Sequence, residues 1–302
     1  MKKLILPLLL LFSVVAFGQK IEVKKIKQIS SQKDGELAWV QFVPQTDYLL
    51  VSNKNFEGLY LLNSKTKAKT QICKDAGAGY NPLISSDGKR IIYKSDTFKS
   101  NLKYSKLMEY NMEVKSEKTL LNETRALSAA SFMGSELVFF EQSGLKKMPY
   151  AQASKACNLC VKTENLTPYL IHSGSTTQYK PSGEGNYIWV SLSPDEKKIV
   201  YNFNGISTFV ADLEGNIIAE LGHFHAPKWL NNEVLIGMND KDNGSTIVSS
   251  DIVAYSLKSQ KVKNLTNSQN EIELYPAVSP NGDQIAYETS KGELFIMKIE
   301  VK

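Results

Sequence analysis

Gly222-His-Phe-His225 is the stretch whose residue types and spacing point most directly to chemistry. In extended backbone, side chains two residues apart point the same way. His223 and His225 could therefore share a metal ion or pose a base over a ligand. A metal site would want a further His or a carboxylate close by, and His172, in a long loop, is the only other histidine. The same four residues read more simply as a polar linker ahead of Trp229, so neither a catalytic residue nor a bound metal or cofactor is assigned. Asp240-Lys-Asp-Asn-Gly244 has the opening of a calcium loop but no Glu at the far end. It reads as a hairpin turn. Cys157-Asn-Leu-Cys160 could close as a small disulfide in an oxidising compartment. It has no second ligand pair for zinc and no βαβ context for redox work. Four tyrosines, Tyr80, Tyr169, Tyr179 and Tyr275, lie where strands join. They could stack on a sugar, anchor a peptide or cover the core.

The elements that must position these residues repeat. Asn81-Pro-Leu-Ile-Ser-Ser-Asp-Gly-Lys-Arg-Ile-Ile-Tyr93, Val190-Ser-Leu-Ser-Pro-Asp-Glu-Lys-Lys-Ile-Val-Tyr201 and Tyr275-Pro-Ala-Val-Ser-Pro-Asn-Gly-Asp-Gln-Ile-Ala-Tyr287 each read as strand, tight polar turn, strand. Weaker copies follow the same plan around Trp39–Val51, Ser131–Phe140 and Pro227–Ile236. The residue before the turn is apolar in all six: Phe42, Ile84, Phe132, Leu192, Trp229 and Val278. Each turn precedes a third strand and, in five units, a basic fourth, Val161 to Leu166 filling that place in the third unit. The period, roughly 47 residues, suits propeller blades. The expected fold is all-β: a six-bladed propeller of four-stranded blades. The sixth unit ends without a fourth strand, and Glu22 to Ile29 is expected to supply it and close the ring.

Before this domain, Lys2 and Lys3, an apolar run to Phe17 and Ala16-Phe-Gly18 form an expected signal peptide, 1–18, cleaved before Gln19. The run falls short of the about 20 residues a membrane helix needs. A propeller over 19–302, monomeric and periplasmic or secreted, follows. Net charge falls from +5 to +3 without Lys2 and Lys3, and arginine occurs only at Arg90 and Arg125. That is not the gathered basic stripe of a nucleic-acid binder.

The Ser-Pro-Asp/Asn-Gly-x-x-Ile-x-Tyr pattern, at Ser193–Tyr201 and Ser279–Tyr287, resembles the TolB-like, WD-repeat-like β-propeller family. Asn-Leu-Thr at Asn165–Thr167 and Asn264–Thr266 resembles that family's fourth-strand ending. The resemblance implies a propeller, but not TolB itself, whose additional N-terminal domain has no room here. It also implies one of three uses: a binding module, a peptidase gate or a polysaccharide lyase. The peptidase kind needs a Gly-x-Ser-x-Gly elbow, which does not occur.

In a propeller, the repeat turns lie at one end and the loops between blades at the other. Pro168 to Asn186 and Asn239 to Ser250 would be long insertions on the loop end, and Tyr80, Tyr169, His172, Tyr179, His223, His225 and Tyr275 would be candidate ligand contacts there. The expected function is non-catalytic binding of an envelope protein, peptide or glycan. The alternative is a metal-assisted polysaccharide lyase or hydrolase using His223 and His225.

Overall fold

The apolar triplets after each turn set the architecture. Ile91 and Ile92, Leu137 and Val138, Ile199 and Val200, Leu235 and Ile236, and Ile285 and Ala286 are all 1 % exposed or less. Neighbours along a strand face opposite sides of the sheet, so every sheet is covered on both faces. A ring of sheets standing face to face does this. In the computed structural model, which describes residues 20–150, 158–172 and 174–302, there are seven such sheets rather than six.

Blade one comprises Leu37–Phe42, Tyr48–Asn53, Leu59–Asn63 and Lys69–Cys73. Blade two comprises Leu83–Ile84, Arg90–Lys99, Leu102–Asn111 and Ser116–Thr124. Blade five is Tyr187–Leu192, Lys198–Phe203, Ser207–Asp212 and Ile217–Gly222; blade six is His225–Asn231, Val234–Asp242, Ile247–Ser256 and Lys261–Asn264. Blades three (Ser131–Met133, Glu136–Glu141, Gly144–Pro149) and four (Leu159–Glu164, Thr167–His172, Thr176–Gln178) show three strands each among the described residues.

Blade four is the one the repeat did not reveal. Val161 to Leu166, expected as the last strand of the third unit, belongs to the inner strand and hairpin turn of this separate sheet. Asn165 and Leu166 form that two-residue turn, both with positive φ (47° and 60°), between the paired Glu164 and Thr167. Asn165–Thr167 is therefore a hairpin turn, not a fourth-strand ending. The expected insertion at Pro168 to Asn186 holds the blade's other two strands. Asn239 to Ser250 likewise proves to be the prolonged second and third strands of blade six, paired from Asn239↔Asp251 to Asp242↔Ile247.

Blade seven is Glu273–Val278, Gln284–Thr289 and Leu294–Val301, with Ile21–Gln28 as its outer strand. Ile21 pairs with Val301 and Gln28 with Phe295, so the N-terminal strand does close the ring. Every junction has its own core. Leu37, Leu49 and Val51 of blade one meet Ala286, Leu294 and Ile296 of blade seven, and the six other junctions are built likewise. The smallest described core, Met133, Val138, Cys160 and Ile171, joins blades three and four. Cys73 and Cys160 are buried. Cys157 lies outside the described residues, as does the expected signal peptide. No helix among the described residues is long and apolar enough to cross a membrane.

Candidate metal and ligand site at the bulged end

The inner strands share a distortion. Trp39, Asn81, Trp189, Ala226 and Tyr275 all have φ between 47° and 58°. Each lies three residues before the apolar residue that precedes the turn, so the feature recurs in five blades. In blades one, five, six and seven the register slips across it, as a β-bulge does. Left-handed backbone is uncommon for large aromatic residues, and bulges gather at sheet edges and beside active sites. Trp39 N–H donates to Glu288 Oε2 of blade seven at 2.5 Å. Burial pushes the Glu288 carboxyl up to about 8.

At the bulge of blade six, His223, His225 and Asp240 meet. Each offers a donor atom within 4.8 Å of the others. His225 starts the inner strand and pairs with Met238, which brings Asp240, two residues on, over the imidazole. His225 Nδ1 lies 2.8 Å and His223 Nε2 3.6 Å from Asp240 Oδ1. The imidazole centroids are 4.1 Å apart. Asp240 is 6 % exposed and His225 13 %, while His223 opens to solvent at 43 %. Burial raises the Asp240 carboxyl, but the two imidazoles outweigh it and hold the group below its ordinary value. Despite the close approach, Asp240 Oδ1 and His225 Nε2 have no hydrogen-bond partner of acceptable geometry. Buried polar atoms are seldom left so. Donors that crowd together without bonding one another can converge on a third atom, and separations of this size suit metal–ligand bonds of about 2.0–2.3 Å.

Rings extend from this cluster both ways. Trp189 lies 5.2 Å from His225. Tyr275 is raised by burial and by the negative charges of Glu288 and Asp240. Its ring is 4.6 Å from Trp39, which stacks on Phe56 at 4.4 Å, and Phe56 meets the edge of Tyr80 at 5.3 Å. Tyr80 is 47 % exposed, and Lys94 Nζ stands 5.1 Å from its centroid. An arc of touching rings thus runs from blade seven through one to two, and a shorter pair joins blade five to the blade-six imidazoles.

Of the residues expected from sequence, the structure brings His223 and His225 together at the donor cluster and sets Tyr275 and Tyr80 in one run of rings. Tyr179 is core: it is buried and its hydroxyl donates to the Asp212 carbonyl. Tyr169 packs on Phe140 at 5.4 Å, and His172 ends the same strand of blade four, exposed and outside the donor cluster. Asp240, read as part of a turn, is the third donor. Trp39 is a half-buried member of the arc, and Trp189 a half-buried neighbour of His225. Aligning the repeats three residues before the turn gives Trp39, Asn81, Trp189, Ala226 and Tyr275, an aromatic-rich column that could have exposed them.

No family model and no curated protein matches the chain. Among solved structures, it is similar to the crystal structure of oligogalacturonate lyase from Vibrio parahaemolyticus. The TM-score is 0.60 at 14 % identity, over 93 % of this chain and 97 % of that one. At that identity the likeness concerns the fold, and it supports the propeller.

Proposed function

We propose that the protein engages an acidic glycan at its bulged end through a divalent ion held by His223, His225 and Asp240, as a metal-assisted lyase or hydrolase acting outside the cytoplasm. The observation that carries this is the convergence of those three donors with buried atoms left unpartnered. Three protein donors with His223 open to solvent leave coordination positions free, as at catalytic rather than closed structural ions. An ion there would supply a Lewis acid for a carboxyl or glycosidic oxygen. The chain's own part is positional. Asp240 Oδ1 faces both imidazoles, and the arc from Tyr275 to Tyr80 offers ring faces for a sugar chain. The fold likeness to an oligogalacturonate lyase is consistent with this choice of substrate class.

The second reading is a non-catalytic glycan-binding propeller, favoured by the same arc, which needs no chemistry to hold a sugar. Metal analysis of protein purified without chelator, with incubation on oligogalacturonate, separates the two. Stoichiometric metal, lost in His223→Ala/His225→Ala, together with unsaturated product supports the enzyme. Metal without turnover of acidic glycans leaves the binding module. Absence of metal sinks the site.

A further inference from the structure

The two imidazoles flank Phe224, and Phe224 is held on every side. Its ring is buried in a space that glycine leaves open: a Cβ on Gly237 would lie 2.4 Å from Phe224 Cε1 and 2.8 Å from the His225 carbonyl oxygen. Its N–H donates to the Gly222 carbonyl at 2.9 Å, closing a three-residue turn around His223 that starts from Gly222 at φ 64°. Its carbonyl accepts from Thr208 Oγ1. Thr208 lies in the third strand of blade five, paired with Asn202 on one side and Gly222 on the other. Asn202 Nδ2 donates to the Thr208 hydroxyl at 3.0 Å, which leaves the hydroxyl's own proton for Phe224. Asn202 and Thr208 are both 0 % exposed, so water does not compete for either bond.

The arrangement recurs with other chemistry. The residue after the motif tyrosine is polar and buried in blades two, five and seven: Lys94, Asn202 and Glu288. Lys94 Nζ donates to the Leu127 carbonyl ahead of blade three at 3.4 Å, and Glu288 accepts from Trp39 N–H at the bulge of blade one. This position ties each sheet to the strand entering the next blade. From blade five, that strand carries the two histidines.

We infer that Thr208, oriented by Asn202, is a positioning residue for His223 and His225, holding the Phe224 carbonyl so that the imidazoles stand together before any ion arrives. That role rests on the metal-site reading above, whereas the paired imidazoles can be measured with no metal present.

The full chain, stripped of metal with chelator, is compared as wild type, Thr208→Val and Thr208→Ser. Histidine ring protons are followed by NMR, and zinc affinity is then measured by calorimetry. Wild type should show proton–proton contacts between the two rings, whose centroids are 4.1 Å apart. Thr208→Val keeps the shape without the hydroxyl. It should lose those contacts and bind zinc about 10- to 100-fold more weakly. Thr208→Ser keeps the hydroxyl and should retain both, a split that a merely structural role would not produce. Wild-type ring contacts and affinity in Thr208→Val, equal loss in Thr208→Ser, or no ring contacts in wild type overturns the role. Should Thr208→Val not fold, Asn202→Leu removes the amide that turns the hydroxyl, and undisturbed ring contacts there overturn it. Ring contacts that depend on Thr208 in a protein that binds no zinc would sink the metal site and leave the positioning standing.

Discussion

The two ends of the ring are made from the same strands and treat their polar groups in opposite ways. At the turn end, Ser85 Oγ donates to Asp87 at 2.5 Å and accepts from Arg90 N–H at 2.9 Å. Ser193 does the same with Asp195 and Lys198, and Ser279 with Asp283 and Gln284. Blade one lacks the serine but finds an equivalent in Thr46, which donates to the Val43 carbonyl and accepts from Tyr48 N–H. Even the glycine is fixed by fit: a Cβ on Gly88, at φ +70°, would lie 2.1 Å from the Pro44 carbonyl oxygen of the neighbouring blade. At the bulged end the reverse holds. Among the described residues, all the buried side-chain atoms without a partner lie there, on Asn202, His225, Asp240, Ser250, Glu271 and Glu273. Repetition therefore marks the end that holds the ring together. The end that departs from self-sufficiency is the one where the proposed ligand site lies.

The division can be broken by experiment. The largest effect should come from removing residues 21–28, which strips the outer strand from blade seven and Ile21 from its core. Melting should fall by more than about 10 °C, and the bared strand edge should promote aggregation. An unchanged melt would mean the ring does not depend on its closure. Next, His223→Ala/His225→Ala should weaken divalent-metal affinity by about 100-fold or more, measured by calorimetry, while far-ultraviolet circular dichroism stays that of wild type. If instead the fold is lost, the bulged end is structural and the contrast fails.

Glu288 gives a smaller, pH-dependent effect. Its folded-state value of about 8 stands above the 4.5 of the free side chain. The folded protein thus holds a proton that the unfolded chain releases between those values. Stability from this group is fully present below about pH 4.5 and declines as pH rises to about 8, by an amount on the order of a few kcal/mol. Glu288→Gln keeps an oxygen to accept from Trp39 N–H, so it should flatten the decline and raise the melting temperature at pH 8 but hardly at pH 5. Parallel pH profiles for the two proteins would refute this. Smallest of all, Ser279→Ala should cost about 1 kcal/mol in denaturant unfolding and leave metal affinity alone. A change in metal binding would show that the ends communicate.

Blades two, five and seven were legible because one turn, Ser-Pro-Asp-Gly or a close variant, repeats, and blades one and six because apolar residues flank their turns at the same spacing, as both faces of each sheet demand. Blade four escaped because its hairpin turns through Asn165 and Leu166 without that motif. Its inner strand could also pass for the end of the unit before it. Blade three was found, but its inner strand has only three residues. At the site, the two histidines were visible from spacing alone. Asp240 was not, since its place over His225 depends on strand pairing across the blade-six turn and on the extra residue of a bulge.

The closing strand has one more consequence. Lys20 and Lys302 exchange backbone hydrogen bonds in both directions, each at 2.9 Å, so the first described residue and the last lie side by side. The strand at Ile21–Gln28 must wait for the one at Leu294–Val301 before the circle exists. No nascent fragment can lock shut, and a chain joined at this seam and reopened at the exposed tip near Ser100 and Asn101 would trace the same circle from another starting point.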